Sequence, residues 1–386
     1  MTDTALLHSK EFEIEDGGER IIIAEAPCRL HILGDHGQID YGFFLSCTGD
    51  RSVTVALSQR KDSSLRFFSA ELGERKRSSL ANLRYKREDR WANYCKVALF
   101  IFGELGFPLK GMNFTISSDV PRNISLAASS SIEVASALAL RKFFGATLSD
   151  EDLIEHLAKV HREFFPEQNS LVDYLAIINA KKDHFLMIDE ETRSVKRIKN
   201  PFAKCKILLL DSKVPSIDVE TELRGRRNAL TNGAKILSND GMIRSLKLFS
   251  KSDLDELMGS LNEEVRRRCL FVIQEHERIA LAVKALQTGD KEGFSKLLYH
   301  SHEGLRDLYE VSCPEIDWLV KRAQEIPNAV GARMTGSGFG GCVYVIIPSN
   351  LAEEYNSRMD DYERIFGFRP VTYEIRTAGS AKLLTK

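Results

Sequence analysis

Four short stretches of this chain hold residue types that could do chemistry. The first is Pro121–Ala135, PRNISLAASSSIEVA, which follows a β-like segment at 112–117 and opens a helical run with small and hydroxylated residues. A helix whose first turn lacks side-chain bulk leaves backbone N–H groups free to meet an anion. The stretch therefore reads as a phosphate-binding turn or as an ordinary Ser-rich helix cap. The second is Arg333–Gly341, RMTGSGFGG, with glycines at 336, 338, 340 and 341 just ahead of an apolar run. Glycines so spaced serve close backbone approach or positive φ, in a phosphate or substrate loop or in a plain tight loop. No Gly-Lys-Ser/Thr ends the segment and its strand follows rather than precedes it, so it is neither a Walker loop nor a dinucleotide fingerprint.

The third stretch joins Arg29, two residues past Pro27 at a strand end, to the short turn Gly34-Asp35-His36. A cation that can reach a site and two hydroxyl-binding groups is one reading; ordinary turn residues are the other. The fourth is Asp173, the one acid in the apolar run SLVDYLAII. A carboxylate on an apolar stretch needs a partner or a place on the helix surface, here beside Tyr174.

The elements that must position these residues follow from periodicity. Strands are predicted at 21–26, 43–47, 52–56, 65–68, 112–117, 184–187, 207–210, 342–347 and 369–376, with 71–90 as surface loop or a short hairpin. Helices are predicted at 91–105, from 121–135 on to about 144, at 149–165 with Ser149 or Asp150 as cap, and at 170–180. The charge-rich second half adds helices at 253–258, 262–274, 276–286 and 291–308, one opened by Pro314, and a mostly helical segment at 351–366. Strands and helices mixed in each half imply an α+β fold, and Asn200-Pro201 is the best boundary, giving units 1–200 and 201–386.

Composition narrows the class. The chain has 386 residues, 43% hydrophobic and 28% charged, with a formal net charge of -1. That suits a globular chain of two domains and gives no polyanion-binding surface, so Arg266-Arg267-Arg268 reads as a solvated helix face. Seven scattered cysteines argue against a disulfide framework, and His276, His300 and His302 lack a closed set of metal-ligating companions. No apolar run approaches bilayer length and the first residues lack signal-peptide order, so the cytosol is expected, with no membrane or direct nucleic-acid contact.

Taken together, the four stretches resemble the galactokinase branch of the GHMP small-molecule kinases. The resemblance runs from about residue 21 to the C-terminus and is strongest at Trp91-Ala92-Asn93-Tyr94, at SHEGLRDLYEVSCPEID (301–317) and at GARMTGSGFGGC (331–342). It implies an α+β fold in two domains, with MgATP and a sugar in the cleft between them, and transfer of the γ-phosphoryl group to the sugar's anomeric hydroxyl. It implies catalytic roles for Asp173 and Arg29, and a sugar-binding turn of Asp35, His36, Gln38 and Asp40, with Ser170 and Leu223 also at the sugar. The phosphate loop would comprise Asn123, Ile124, Ser125, Leu126, Ala127, Ala128, Ser129, Ser130 and Ser131, supported by Gly336 and Gly338. Ser129 falls at the position linked to magnesium. ATP and Mg2+ are the implied cofactors, a sugar or sugar-like acceptor the partner, and a monomer or homodimer the assembly.

The departures from the family pattern lie in the site itself. Three consecutive glycines of the family's phosphate loop are Asn123, Ile124 and Ser125 here, and two of its serines are Ala127 and Ala128; each Cβ constrains φ where backbone should meet phosphate. The family's Gly-Glu-His-Thr-Asp turn becomes Gly-Asp-His-Gly-Gln, so Gln38 replaces the sugar-binding acid unless Asp40 shifts in. Ala-Glu-His becomes Val160-His161-Arg162, putting a histidine where relatives carry a magnesium-associated acid, with Glu163 as a substitute. Cys-Gly-Ile-Met-Asp-Gln becomes 169–174, Asn-Ser-Leu-Val-Asp-Tyr, and the tyrosine near the sugar becomes Leu223. Three functions fit these residues: a sugar 1-kinase with galactose the leading acceptor, a kinase for another polyol or amino sugar, and a catalytically weak or inactive regulatory relative that binds sugar or nucleotide.

Overall fold

The computed structural model describes all residues except 1–2, 16–19, 37–41, 123, 167–169, 203, 216–218, 239–242, 258 and 386. Two long strands form the spine of the larger sheet. Ile22–Leu33 and Phe43–Gln59 pair antiparallel along most of their length. Pro27 is accommodated because the register shifts between Pro27 and Cys28, where a missing N–H interrupts no regular ladder. Phe43–Gln59 runs on through Gly49-Asp50, so the two short strands expected there are one element. Gly49 is a close-packing residue: a Cβ on it would press on Cys28 Sγ and the Ile375 side chain.

Met112–Ser118, Ser64–Ser69 and Glu74–Ser79 extend this sheet on one side, with Ser64–Ser69 parallel to Met112–Ser118. His184–Asp189 pairs with the other end of Phe43–Gln59 and with Ser194–Lys199. Lys382–Leu383 returns from the far end of the chain to the edge of Ile22–Leu33. A second, antiparallel sheet runs in the order Val371–Ile375, Cys205–Asp211, Cys342–Pro348, Gly331–Thr335.

Helices Ala92–Glu104, Ala128–Phe144, Asp150–Phe164 and Leu171–Asn179 contribute to the core on the first sheet. Ser149 caps Asp150–Phe164 by accepting from the Asp152 N–H. Val219–Ser238, Lys291–Asp307 and Pro314–Gln324 flank the second sheet's core. The two helices expected over 262–286 are one, Glu263–Thr288, 26 residues long. Its first half gives Phe271, Val272 and Ile273 to the second core, and its later turns give Ile279, Ala282, Ala285 and Leu286 to the first. Among the described residues no helix is long and apolar enough to cross a membrane.

An N-terminal helix the sequence reading passed over, Asp3–Phe12, lies on the first sheet and is fixed by a buried histidine. His8 bonds Thr115 Oγ1 at 2.8 Å and Ser58 Oγ at 3.0 Å. Burial pulls its pKa from 6.5 down to about 4. Between those values the unfolded chain takes up a proton that the folded chain refuses, so stability falls as pH falls through this window. His8→Gln should flatten the acid side of the stability–pH curve by up to about 1.4 kcal/mol per pH unit below pH 6.5. Urea titrations at several pH values would show it; parallel curves for variant and wild type would remove His8 from acid unfolding.

Candidate functional site

A cleft of about 1140 Å³ opens between the two sheets, and it draws together three of the four stretches singled out by residue type and Gly336-Ser337 of the other. At its floor Arg29 Nε and Nη2 both donate to Asp173 Oδ1, at 2.8 and 2.6 Å. Ser130 Oγ donates to the other oxygen, Oδ2, at 2.9 Å. All three residues are buried, and Asp173 sits in the first turn of Leu171–Asn179, where the helix dipole favours an anion. The acid in the apolar run is thus a paired, buried carboxylate.

The turn before Ala128–Phe144 wraps over this pair. The Arg29 N–H donates to Leu126 O at 3.1 Å, and Ile124 and Leu126 are buried anchors. Ser125 and Ala127 take positive φ, 30° and 56°, so the backbone holds a glycine-like path without glycines. Ser125, Ala127, Ala128 and Ser129 line the cleft. Ser131 does not: its hydroxyl turns inward to Pro27 O at 2.8 Å and Ala127 O at 3.1 Å, which holds the turn rather than a ligand. Ser130, read as a phosphate ligand, spends its proton on Asp173.

Opposite this turn stands Gly336, with φ of 92°, where a Cβ would overlap the Ser125 side chain. Ser125 therefore fills space that Gly336 vacates. Gly338 does not line the cleft; its missing Cβ makes room for Val311. The GARMT half of the expected loop is a buried strand, Gly331–Thr335, and the glycine turn begins only after it.

At one end the cleft is lined by Asp35, His36, Ser170, Leu223 and Tyr309. Asp35, expected as a free hydroxyl-binding acid, has both oxygens engaged. Oδ2 accepts from Arg333 Nη1 at 2.5 Å and Oδ1 from the Gly336 N–H at 3.0 Å. Burial is the largest influence and raises its pKa, but the Arg333 charge, His31, His36 and the Arg333 hydrogen bond together hold it below the usual range. His36 has φ of 72°, stacks on Tyr309 with centroids 4.7 Å apart, and buries an Nε2 with no partner among the described residues. Burial lowers its pKa to about 4, so the ring is neutral at pH 7 and can offer or accept one hydrogen bond at Nε2. Gln38, Asp40 and Asn123 lie outside the described residues.

The far end is aromatic and basic, with Tyr85, Trp91, Tyr94 and Phe165 on the wall and Arg87, Arg90 and Arg122 near the mouth. Tyr94 and Phe165 stack at 5.0 Å, and the Trp91 indole N–H donates to Glu74 Oε2 at 3.1 Å. Tyr94 also hydrogen-bonds Ser129, and burial pushes its pKa up to about 12. Motif reading named Trp91 and Tyr94 but missed the arginines, which lie in an irregular stretch and at the exposed edge of the turn.

Glu133 was also missed. It is fully buried behind Asp173, held by His161 Nδ1 at 2.9 Å and by the Tyr174 hydroxyl. The signal that exposed Asp173, one acid in an apolar run, was present in IEVASALAL too. Both Glu133 oxygens and both Asp173 oxygens accept hydrogen bonds and Glu163 is exposed away from the cleft, whereas Ser129 lines it. A hydroxyl there suits a magnesium ion that reaches the site on nucleotide phosphates and keeps several waters.

Comparison with known proteins fits this geometry. The GHMP kinases N terminal domain matches residues 93–181 and the GHMP kinases C terminal region matches 282–361. A candidate galactokinase of Treponema pallidum is 36% identical over 98% of this chain and 95% of its own length. The galactokinase of Thermosipho africanus is 30% identical over 92% of this chain and 97% of its own. This chain belongs to the galactokinase branch of the GHMP kinases. Among solved structures, Lactococcus lactis galactokinase complexed with galactose superposes with a TM-score of 0.90 over 98% of this chain and 99% of that one, at 22% identity. Methanococcus jannaschii mevalonate kinase follows the same fold at 0.67, with 95% and 100% coverage and 19% identity.

The Ser125–Gly336 contact makes a prediction particular to this member of the branch. Gly336→Ala should cost about 1–3 kcal/mol through overpacking and backbone strain. Adding Ser125→Gly should recover the overpacking part. A double-mutant cycle by chemical denaturation reads the coupling, and additive losses would mean the two residues do not share that space.

Proposed function

We propose that this chain transfers the γ-phosphoryl group of ATP to the anomeric hydroxyl of a sugar, with galactose the leading acceptor. The observation that carries this reading is the buried Arg29–Asp173–Ser130 corner at the floor of a cleft whose other end is aromatic and basic. The names of the similar proteins support the same choice. The cleft lies between units 1–200 and 201–386, each taken to contribute one wall.

Phosphoryl transfer asks for alignment and charge neutralisation more than covalent chemistry. Asp173 accepts a hydrogen bond from the attacking hydroxyl and takes its proton as the bond to phosphorus forms. Arg29 and Ser130 fix the carboxylate so that its remaining lone pairs face the cleft, and Arg29 offers positive charge beside the transferring group. Backbone N–H groups at the start of Ala128–Phe144 and the Ser129 hydroxyl bind the phosphates. The Ser129 hydroxyl would hold a magnesium ion arriving with the nucleotide, and that ion would supply charge neutralisation on the phosphate oxygens. His36 and Ser170 contact sugar hydroxyls, and Leu223 gives an apolar surface to the sugar ring. A cytosolic location fits the absence of a membrane-spanning helix among the described residues.

A coupled ADP-release assay over hexoses, pentoses, N-acetylhexosamines and uronic acids should show turnover with galactose or a close relative. Asp173→Asn should lower kcat by about 10³-fold or more, as loss of a general base and of transition-state charge complementarity demands, while calorimetry finds MgATP affinity nearly intact. An unchanged kcat would sink Asp173 as the base, and a wild-type chain inert across the panel would sink the kinase reading.

A further inference from the structure

Behind Asp173 lies a hydrogen-bonded chain that the phosphoryl-transfer corner does not use. Ser170 Oγ and His161 Nε2 are 3.2 Å apart, and His161 Nδ1 lies 2.9 and 3.2 Å from the two oxygens of Glu133. Tyr174 donates its hydroxyl to Glu133 Oε2 and also hydrogen-bonds Ser170, where its oxygen can only accept. Glu133, His161 and Tyr174 are 0% exposed, whereas Ser170 lines the cleft. The order Ser–His–carboxylate therefore runs from the cleft into the core.

Ser170 occupies the N-cap of Leu171–Asn179, yet its side chain makes no cap hydrogen bond. A serine there normally accepts from a first-turn amide. This one is diverted to His161 instead. Burial raises the Glu133 pKa, while the hydrogen bonds from His161 and Tyr174 favour its charged form; as a carboxylate gripped by the Tyr174 hydroxyl it takes a second donor, and Nδ1–H is the one within reach. With the proton on Nδ1, neutral His161 has only a lone pair at Nε2, so Ser170 must donate inward.

We propose that His161 and Glu133 fix the polarity of Ser170, so that its hydroxyl presents lone pairs to the cleft and accepts a hydrogen bond from a hydroxyl of the phosphoryl acceptor. This inference rests on the kinase reading above. A serine fixed as an acceptor repels phosphate oxygens and selects an O–H donor, the chemical class of a polyol. Ser170 stands one helical turn from Asp173, on the same face, so the contacted hydroxyl belongs to the same molecule that Asp173 activates. Ser170 touches substrate; His161 and Glu133 are positioning residues. The sequence departures at 161, 170 and 174 meet in this one network around Glu133.

Steady-state kinetics and histidine-selective ¹⁵N NMR test the proposal. Ser170→Ala should raise KM for the sugar about fivefold to tenfold, the scale of one hydrogen bond, with kcat and KM for ATP within about twofold. His161→Asn keeps an N–H for Glu133 but has nothing at the Nε2 position, and should raise the sugar KM as Ser170→Ala does. The double variant should be no worse than either single one; additive losses, or a fall in kcat alone, would overturn the relay. In the wild-type spectrum His161 should carry its proton on Nδ1, and the Nε2 signal should move in Ser170→Ala. A protonated Nε2 would overturn the assigned polarity. A wild-type chain that turns over no sugar would overturn the kinase reading and the acceptor contact together, while the nitrogen spectrum would still decide the relay. Thermal melts of each variant separate these outcomes from loss of fold.

Discussion

The site depends on a guanidinium buried where the two sheets meet. Arg333, 0% exposed on Gly331–Thr335, binds Asp35 at the end of the first long strand and Glu275 in the long helix. The Ser301 hydroxyl, 2.8 and 2.9 Å from the two oxygens of Glu275, shares its one proton between them, Arg278 adds a 2.7 Å bond, and the Gly34 N–H donates to the same carboxylate at 3.1 Å. Two carboxylates and two guanidinium groups are costly to bury and justify it only when each hydrogen-bonding position is met. Here the geometry meets that demand with partners from both sheets. Tyr344 and Thr335 add hydrogen bonds from the second sheet to the carbonyls of Ile32 and His31. The strand end that carries Asp35 and His36 is thereby fixed to the strand that carries the glycine turn.

From this anchor the rest of the cleft follows by short chain distances. Arg29 lies on the same strand as the anchored Gly34-Asp35, and its backbone N–H holds Leu126 of the opposing turn. The phosphate-side turn keeps its path without glycines because Ile124 and Leu126 are buried and Ser131 ties it to Pro27. Local strain at Ser125 and Ala127 is offset by these contacts.

Much of this was legible in residue type. The α+β fold, most helices and the pairing demand on Asp173 followed from periodicity and from the rarity of a lone acid on an apolar run. The errors have physical causes. The runs 43–47 and 52–56 read as separate strands, but the strand continues through Gly49, which is small because Cys28 and Ile375 press on it. Glu275-His276 looked like a break between helices, but Glu275 is polar because Arg333 needs it. Ser194–Lys199, SVKRIK, hid as loop because only Ile198 among its residues is buried. Asp35 and Ser131 were read as ligand-facing because sequence gives no sign of which long-range partner claims a polar group first. For Gly49, Glu275, Asp35 and Ser131 the deciding partner lies far away in the chain.

The helix Glu263–Thr288 has a further consequence. Because one uninterrupted rod of about 39 Å is embedded in both cores, neither half can rotate as a free body without tearing apolar contacts in the other. Opening and closing around a substrate must then work by sliding of packed surfaces and by loop rearrangement rather than by a hinge. The same rod makes the two halves one cooperative unit, so that loosening either core is felt in both.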